Sequence, residues 1–278
     1  MRVFSIDEFE EIKLIGQGGF GKVYSARLKG SQKKVAIKEI QNADSLLNEV
    51  GILGQLDSCF TIPFLGVIGK PDTIIVYSIV LEFIEGFDLE KRALFQVFNS
   101  TQKTIVIRGI VQGICYLHSQ KIIHRDIKLS NVLLYLDFQP ILIDFGLSCK
   151  CESKVKGYCG TEGYIAPEIK EPLQRDGYDF TVDVYSFGIL LDIFVSLTLQ
   201  NDSYQLLPKL EELINHCLEV VPEKRWTIFQ VNDFISSNEI FPGSNHEYIE
   251  EFFNNIKKIP SNAHYIGHQI HIPKDKQN

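Results

Sequence analysis

The run His124-Arg125-Asp126-Ile127-Lys128-Leu129-Ser130-Asn131, followed by Asp144-Phe145-Gly146, decides how the rest of the chain is read. A carboxylate stands two residues before a lysine and five before an asparagine, and a second carboxylate stands close before a glycine. Carboxylate and amide oxygens suit a hard divalent ion, and a lysine beside them balances charge on a phosphoryl group in transit. This is the equipment for holding a metal-bound triphosphate and orienting a hydroxyl against its last phosphorus. No side chain in the run reads as a nucleophile that would itself be phosphorylated.

Upstream sequence supplies a nucleotide site. Gly16-Gln17-Gly18-Gly19-Phe20-Gly21 separates two strand-like stretches, residues 12–15 and 23–27. The same glycine spacing occurs in dinucleotide-binding folds, where the last glycine opens a helix. Here Lys22-Val23-Tyr24 continues as strand, so the run reads as a β-hairpin lid whose missing Cβ atoms admit phosphate oxygens. Val35-Ala36-Ile37-Lys38 puts an ammonium on the next strand, and Asp44 or Ser45 is placed to cap a helix through about residue 56 that carries Glu49. A Lys38–Glu49 pair would fix the amine against the α and β phosphates; a surface salt bridge for Glu49, worth little, is the alternative. Residues 73–78 and 79–83 read as two strands, Glu85-Gly86-Phe87-Asp88 as a hinge, and residues 102–118 as a mostly buried helix delivering the chain to the opening run.

From about residue 9 to 230 the chain resembles eukaryotic-type protein kinases. The resemblance is carried by the glycine-rich loop, Lys38, Glu49, His124-Arg125-Asp126, Asp144-Phe145-Gly146, Ala166-Pro167-Glu168, Asp183 and Arg225. It implies an α+β, bilobal protein kinase fold. A β-rich N-terminal lobe with one main helix would cover residues 1–84, a mostly helical C-terminal lobe 85–236, and an extension with an amphipathic helix 237–278. It further implies ATP and Mg²⁺ as cofactors and transfer of the γ-phosphate to serine or threonine hydroxyls of protein substrates.

The roles follow by resemblance. Asp126 would orient the acceptor hydroxyl and take its proton late in the reaction, Lys128 would balance phosphate charge, and Thr161 would begin the substrate platform. Asn131 and Asp144 would hold metal, with Gly146 allowing the turn that brings Asp144 to it. Gly16, Gly18 and Gly21 would cover the phosphates that Lys38 contacts. Leu81 would back the adenine pocket, the backbone from Glu82 to Ile84 would meet the adenine edge, and Ile15, Val23 and Ala36 would cover the ring from above with Leu133 below. Plain core packing is the other reading of these apolar side chains. Glu168 and Arg225 would form a buried ion pair, Asp183 would anchor the catalytic-loop backbone, and Leu53, His124 and Phe145 would stack. Lys128 and Gly160-Thr161 resemble serine/threonine-specific members, whereas residues 183–188 resemble the tyrosine-kinase-like branch. Dual or tyrosine specificity is one alternative; an ATP-binding pseudokinase scaffold is another, although the residues usually lost in such proteins are present.

Two regions depart from the family pattern. In the segment 144–168, Arg125 suggests a basic pocket for a phosphorylated residue, yet the usual phosphate position is Gly157. Ser153 or Tyr158 would have to substitute, or the loop would act unmodified, aided by Lys154 and Lys156. Cys149, Cys151 and Cys159 lack common zinc spacing and read as loop thiols, with a lysine-activated redox switch as the alternative. The interval from Asp183 to Arg225 is short: Gln200-Asn201-Asp202-Ser203 reads as a turn directly before a helix over 207–218, which would leave a flatter docking face.

Beyond residue 236, Ser244 and Glu247 have the form of a capping box ahead of Ile249, Phe252, Phe253 and Ile256, with Pro260 as a stop. This helix is expected to pack on its own lobe, with a regulatory or dimer partner as the alternative and no membrane insertion. His264, His268 and His271 read as a polar tail rather than a metal site.

Composition sets outer limits. The 278 residues are 45% hydrophobic with a net charge of −7, which suits a buried core and argues against nucleic-acid binding. The longest apolar run, residues 187–199, contains Asp192 and is too short for a bilayer. The opening residues lack the apolar core of a secretory signal. Six irregularly spaced cysteines do not demand disulfides, so a reducing, cytoplasmic setting is expected.

Overall fold

The structure, a computed structural model, describes residues 1–18, 21–31, 33–69, 76–170, 177–198 and 207–258. The first part is a six-stranded sheet built from β1 (Arg2–Phe4), β2 (Phe9–Gly18), β3 (Gly21–Leu28), β4 (Lys34–Glu39), β5 (Phe64–Gly69) and β6 (Val76–Glu82). Its order is β1-β5-β6-β4-β3-β2, with β1 parallel to β5 and the other pairs antiparallel. One face of this sheet closes on Phe4, Phe9, Val35, Ile37 and Val80. The other side receives α1 (Ala43–Leu53), whose Leu46, Ile52 and Leu53 enter the main core.

Three differences from the sequence reading concern this part. A sixth strand, β1, leads the sheet; its carbonyl at Arg2 passes so close to Gly66 that a Cβ there would lie 2.2 Å away, so only glycine admits it. Val76–Glu82 forms one continuous strand where two were expected, and its neighbour is the unforeseen β5; residues 73–75 lie outside the described residues. Helix α1 begins one residue after Asn42, whose side chain accepts from the Ser45 N–H, so the cap is Asn42 rather than Asp44 or Ser45.

The chain then crosses a hinge in which Gly86 is obligatory, since a Cβ would stand 2.6 Å from the Leu134 carbonyl. Beyond it lie α2 (Leu89–Phe95), α3 (Ser100–Ser119) and the four strands of two short ladders: β7 (Ile122–Ile123), β8 (Val132–Leu134), β9 (Pro140–Leu142) and β10 (Cys149–Lys150). β8 pairs with β9, and β10 with β7. Then follow α4 (Pro167–Lys170), α5 (Thr181–Thr198), α6 (Pro208–Cys217), α7 (Ile228–Ser237) and α8 (His246–Ile256). Ile107, Ile110 and Ile114 of α3 are wholly buried, and Gly109 lets the helix press on β9, because a Cβ would meet Pro140 at 2.5 Å.

Helix α5 is the one described helix long and apolar enough to cross a membrane, with 18 residues and a mean hydropathy of 1.5. Its Val184, Phe187, Leu190, Leu191, Phe194 and Val195 are instead in the main core. The expected turn at 200–203, and with it the shortened docking face, lies outside the described residues, as do Pro260 and the three C-terminal histidines.

Helix α8 packs back on the lobe. Ile249, Phe252, Phe253 and Ile256 are all buried, Phe253 meets Phe60 at a 6.1 Å ring separation, and the Arg108 guanidinium lies 4.7 Å over the Phe253 ring while pairing with Glu250. The face that a partner would have used is therefore covered by this chain. Its cap is Asn245, which accepts from the Tyr248 N–H, rather than Ser244, whose hydroxyl bonds Phe241 and Thr104 instead.

Candidate functional site

The site forms where the sheet, the catalytic loop and the Asp144 turn converge below the β2–β3 hairpin. Strand pairing sets its roof: Ala36 faces Leu81 across β4 and β6, and Val23 faces Lys38 across β3 and β4. Gly18 and Gly21 are the last pair before the chain passes from β2 to β3; a Cβ at Gly21 would fall 1.9 Å from the Glu39 carbonyl, so this glycine is fixed by close approach. Gly16 lies opposite Val23, and Gly19 and Phe20 fall outside the described residues. Ile15 is exposed, Val23, Ala36, Leu81 and Leu133 are half-buried, and Glu82 and Ile84 are buried. The Glu82 N–H is engaged by the Pro63 carbonyl, and its carboxylate accepts from the Tyr135 hydroxyl across the hinge at 3.0 Å. A cavity lined by Gln17, Gly18, Gly21, Lys22, Glu49 and Gly146 opens beneath the hairpin.

Lys38 is the electrostatic centre. Its Nζ donates to Glu49 Oε1 at 2.6 Å, to Glu49 Oε2 at 2.8 Å and to Asp144 Oδ1 at 2.7 Å. Glu49 is thus a buried partner and not a surface one. Burial works against the ammonium, but Asp144 and then Glu49 outweigh it and hold Lys38 above its ordinary value. For Asp144 burial is likewise outweighed, chiefly by Lys38, leaving the carboxyl below its usual range. Burial wins at Glu49, which is pushed up despite Lys38. One ammonium serves two carboxylates.

The backbone around Asp144 differs from the expected arrangement. Asp144 itself takes the left-handed conformation, at φ 63°, and Gly146 does not. At 146 glycine leaves clearance for its neighbours: a Cβ there would stand a tight 3.3 Å from Glu49 Oε2, with Lys38 Nζ at an ordinary 3.6 Å.

The catalytic loop is assembled just as tightly. Asn131 Nδ2 donates to the Asp126 carbonyl at 2.9 Å and to Asp126 Oδ2 at 2.8 Å, which turns the amide oxygen to the other side. Lys128 Nζ lies 2.8 Å from Asp126 Oδ2 and donates to Thr161 Oγ1 at 2.6 Å; the Thr161 hydroxyl donates to Asp126 Oδ1 at 2.7 Å. Thr161, far away in sequence, thereby closes a three-residue ring with Asp126 and Lys128.

Asp183, at the first turn of α5, supports this loop from inside the core. Its Oδ2 accepts from the His124 N–H at 2.8 Å and Oδ1 from the Arg125 N–H at 2.8 Å, with His118 Nε2 at 3.0 Å. These bonds hold Arg125 at φ 65°, a left-handed conformation costly for a residue with a Cβ. His124 packs its ring 4.9 Å from Phe145, which shares the main core with Leu53. Arg225 meets Glu168 through two bonds of 2.6 and 3.1 Å with its side chain wholly buried.

A family model described as protein kinase domain matches residues 9–206. The chain belongs to the protein kinase family. Among curated relatives it is 33% identical over 256 residues to Cysteine-rich receptor-like protein kinase 25 of Arabidopsis thaliana, covering 82% of this chain and 37% of that one. It is 34% identical over 204 residues to Receptor-like serine/threonine-protein kinase SD1-7 of the same plant, covering 66% and 23%. It is 28% identical over 249 residues to Probable serine/threonine-protein kinase mkcC of Dictyostelium discoideum, covering 80% and 27%. The chain thus spans well under half the length of these relatives.

Within this kinase domain, sequence reading did not single out Tyr178 or Tyr135. Both lie outside the motifs, and only tertiary contact brings them to the site. For two of the loop thiols burial works against the redox alternative: it pushes Cys149 up, and pushes Cys151 up to about 11. All six cysteines are free, and among the described residues no cluster of three or more metal-ligating side chains occurs.

Proposed function

We propose that this kinase domain transfers the γ-phosphate of ATP to serine or threonine hydroxyls of protein substrates. The observation that carries the reading is the ring of Asp126, Lys128 and Thr161. Asp126 Oδ1 and Oδ2 are held in fixed directions by Thr161, Asn131 and Lys128. A substrate hydroxyl entering there meets a carboxylate that aligns it and receives its proton, while the Lys128 ammonium offsets charge on the departing phosphoryl group. Two of the relatives carry serine/threonine-protein kinase in their names. The pseudokinase alternative is disfavoured because Lys38, Asp126 and Asp144 are all present and mutually placed.

The donor set fits Mg²⁺. Asp144 offers a carboxylate and Asn131 an amide oxygen, the hard donors suited to an ion held by one or two protein oxygens plus substrate phosphates. When bound, the metal neutralises phosphate charge. Lys38, fixed by Glu49, would contact the α and β phosphates, with Gly16, Gly18 and Gly21 above them. Ile15, Val23, Ala36, Leu81, Ile84 and Leu133 would enclose the adenine, whose edge would meet the backbone of residues 82–84. The six free thiols support a cytoplasmic location.

The test is phosphate transfer from ATP with Mg²⁺ to a degenerate serine, threonine and tyrosine peptide library. Wild type should label peptides, while Asp126→Ala and Lys38→Met should lose nearly all transfer. Binding of ATP by the wild type without any transfer would overturn the reading in favour of a scaffold.

A further inference from the structure

The segment between Asp144 and Glu168 has to be held against the catalytic loop, and Arg125, next to Asp126, is the obvious anchor. Its Nε donates to the Leu147 carbonyl at 2.6 Å. Its Nη1 does not face an exposed basic pocket. It donates to the Tyr178 hydroxyl at 3.2 Å.

Tyr178 lies beyond the segment in sequence, just ahead of α5, and is 2% exposed. Its hydroxyl donates to the Gly157 carbonyl at 2.9 Å and has Cys159 Sγ at 3.4 Å. A phenol has one donor and two acceptor positions. Donation to Gly157 and acceptance from Arg125 and Cys159 use all three. The backbone is tied in as well: Val155 N–H donates to the Tyr178 carbonyl at 2.8 Å, and Tyr178 N–H returns the bond at 2.9 Å. Gly177 makes this approach possible, at φ 76° with space for no Cβ, since one would stand 2.5 Å from the Val155 carbonyl. One residue therefore connects Arg125 to the middle of the segment, reaching Gly157 and Cys159 through its hydroxyl and Val155 through its backbone.

Gly157 has no hydroxyl to carry a phosphate, and its φ of 110° disfavours any other residue. Tyr158, 65% exposed, points its hydroxyl at Glu162. Burial pushes the Tyr178 phenol up to about 12, so it stays a neutral hydroxyl across the working pH range.

We infer that Tyr178 is a positioning residue that holds the activation segment against Arg125 by its hydroxyl, making the domain competent without phosphorylation of that segment. A neutral hydroxyl takes, as acceptor of the Arg125 guanidinium, the place that a phosphate takes in a phosphate–arginine pair. The inference rests on the proposed phosphotransfer function and concerns how that same site is kept in order.

The test compares wild type with Tyr178→Phe, both treated with phosphatase and shown by mass to carry no phosphate. The substitution keeps the buried ring and removes one oxygen. Losing a bond to a charged donor and the tie to Gly157 should reduce kcat/KM for peptide about tenfold. KM for ATP should stay within about twofold, because Lys38, Glu49 and the glycine hairpin are untouched. Trypsin should cut faster after Lys154 and Lys156 in the variant. A merely structural role would instead lower ATP affinity and peptide turnover together as folded protein is lost. The inference is overturned if the variant's peptide kcat/KM stays within twofold of wild type, or if ATP and peptide parameters fall in parallel. It is also overturned if dephosphorylated wild type is inactive and gains activity on phosphorylation at Ser153 or Tyr158. Failure of wild type to transfer phosphate in any phosphorylation state would instead refute the function on which the inference rests.

Discussion

Replacing Asp183 by asparagine probes the support beneath the catalytic loop with the smallest change of shape. The aspartate is fully buried, and its two oxygens face three donors: the N–H groups of His124 and Arg125 and the His118 ring. Asparagine keeps one acceptor oxygen and turns an NH₂ toward a backbone N–H. The variant loses at least one charge-assisted bond, about 1.5–3 kcal/mol, and leaves a buried N–H unpaired at about 1–3 kcal/mol. Relief of the left-handed Arg125, worth about 1–2 kcal/mol, offsets part of this as the loop relaxes. The net expectation is about 2–4 kcal/mol, or a Tm lower by about 4–16 °C at about 2–4 °C per kcal/mol for a domain of this size.

The pH dependence has a definite sign. Burial of Asp183 is outweighed, with His118 the largest opposing cause, so its folded carboxyl lies below the ordinary value. Its stabilisation is complete above the unfolded pKa of about 3.9 and is lost as pH falls through the folded one. The gap in Tm between wild type and Asp183→Asn should therefore be full at pH 7 and shrink below about pH 4. Differential scanning calorimetry across pH 3–7, with peptide turnover at pH 7, measures both. A variant within 2 °C of wild type at pH 7 and with unchanged turnover would refute the argument that these bonds hold the loop.

Two further outcomes follow from buried contacts. Glu168→Ala leaves the Arg225 guanidinium, whose side chain has no exposure, with the Glu219 and Thr181 carbonyls but no counter-charge, and should cost about 3–5 kcal/mol by chemical denaturation; a change under 1 kcal/mol would contradict a paired, desolvated arginine. Phe253→Ala empties the contact of α8 with Phe60 and Arg108 and should cost about 3–5 kcal/mol without changing the oligomeric state seen in ultracentrifugation; a fall in oligomer size would show that α8 also joins copies.

What sequence revealed and what it hid divide along physical lines. The catalytic loop, the Asp144 turn and the Lys38–Glu49 pair were legible because few side chains can supply hard oxygens or a fixed ammonium, so their identity and order carry the chemistry. Strand β5 was missed because its two glycines, Gly66 and Gly69, break the expected β-branched pattern; one of them exists to admit β1 from the far end of the chain. The caps at Asn42 and Asn245 were displaced by neighbours of equal propensity, Asp44 and Ser244. The role given to Gly146 was a conformational one, whereas the left-handed backbone falls on Asp144 and Gly146 provides clearance for Glu49. Tyr178 left no local signal, because nothing near it in sequence marks it as the partner of Arg125.

On the proposed function, the ring of Asp126, Lys128 and Thr161 serves to present a substrate's aliphatic hydroxyl to ATP. The most direct measurement is kcat/KM on peptides identical except for serine, threonine or tyrosine at the acceptor position, in wild type and Thr161→Ala. Transfer to serine or threonine should stand well above tyrosine, with a large loss of both in the variant as Asp126 and Lys128 lose their shared partner. Equal or better transfer to tyrosine, or a Thr161→Ala enzyme as active as wild type, would contradict it.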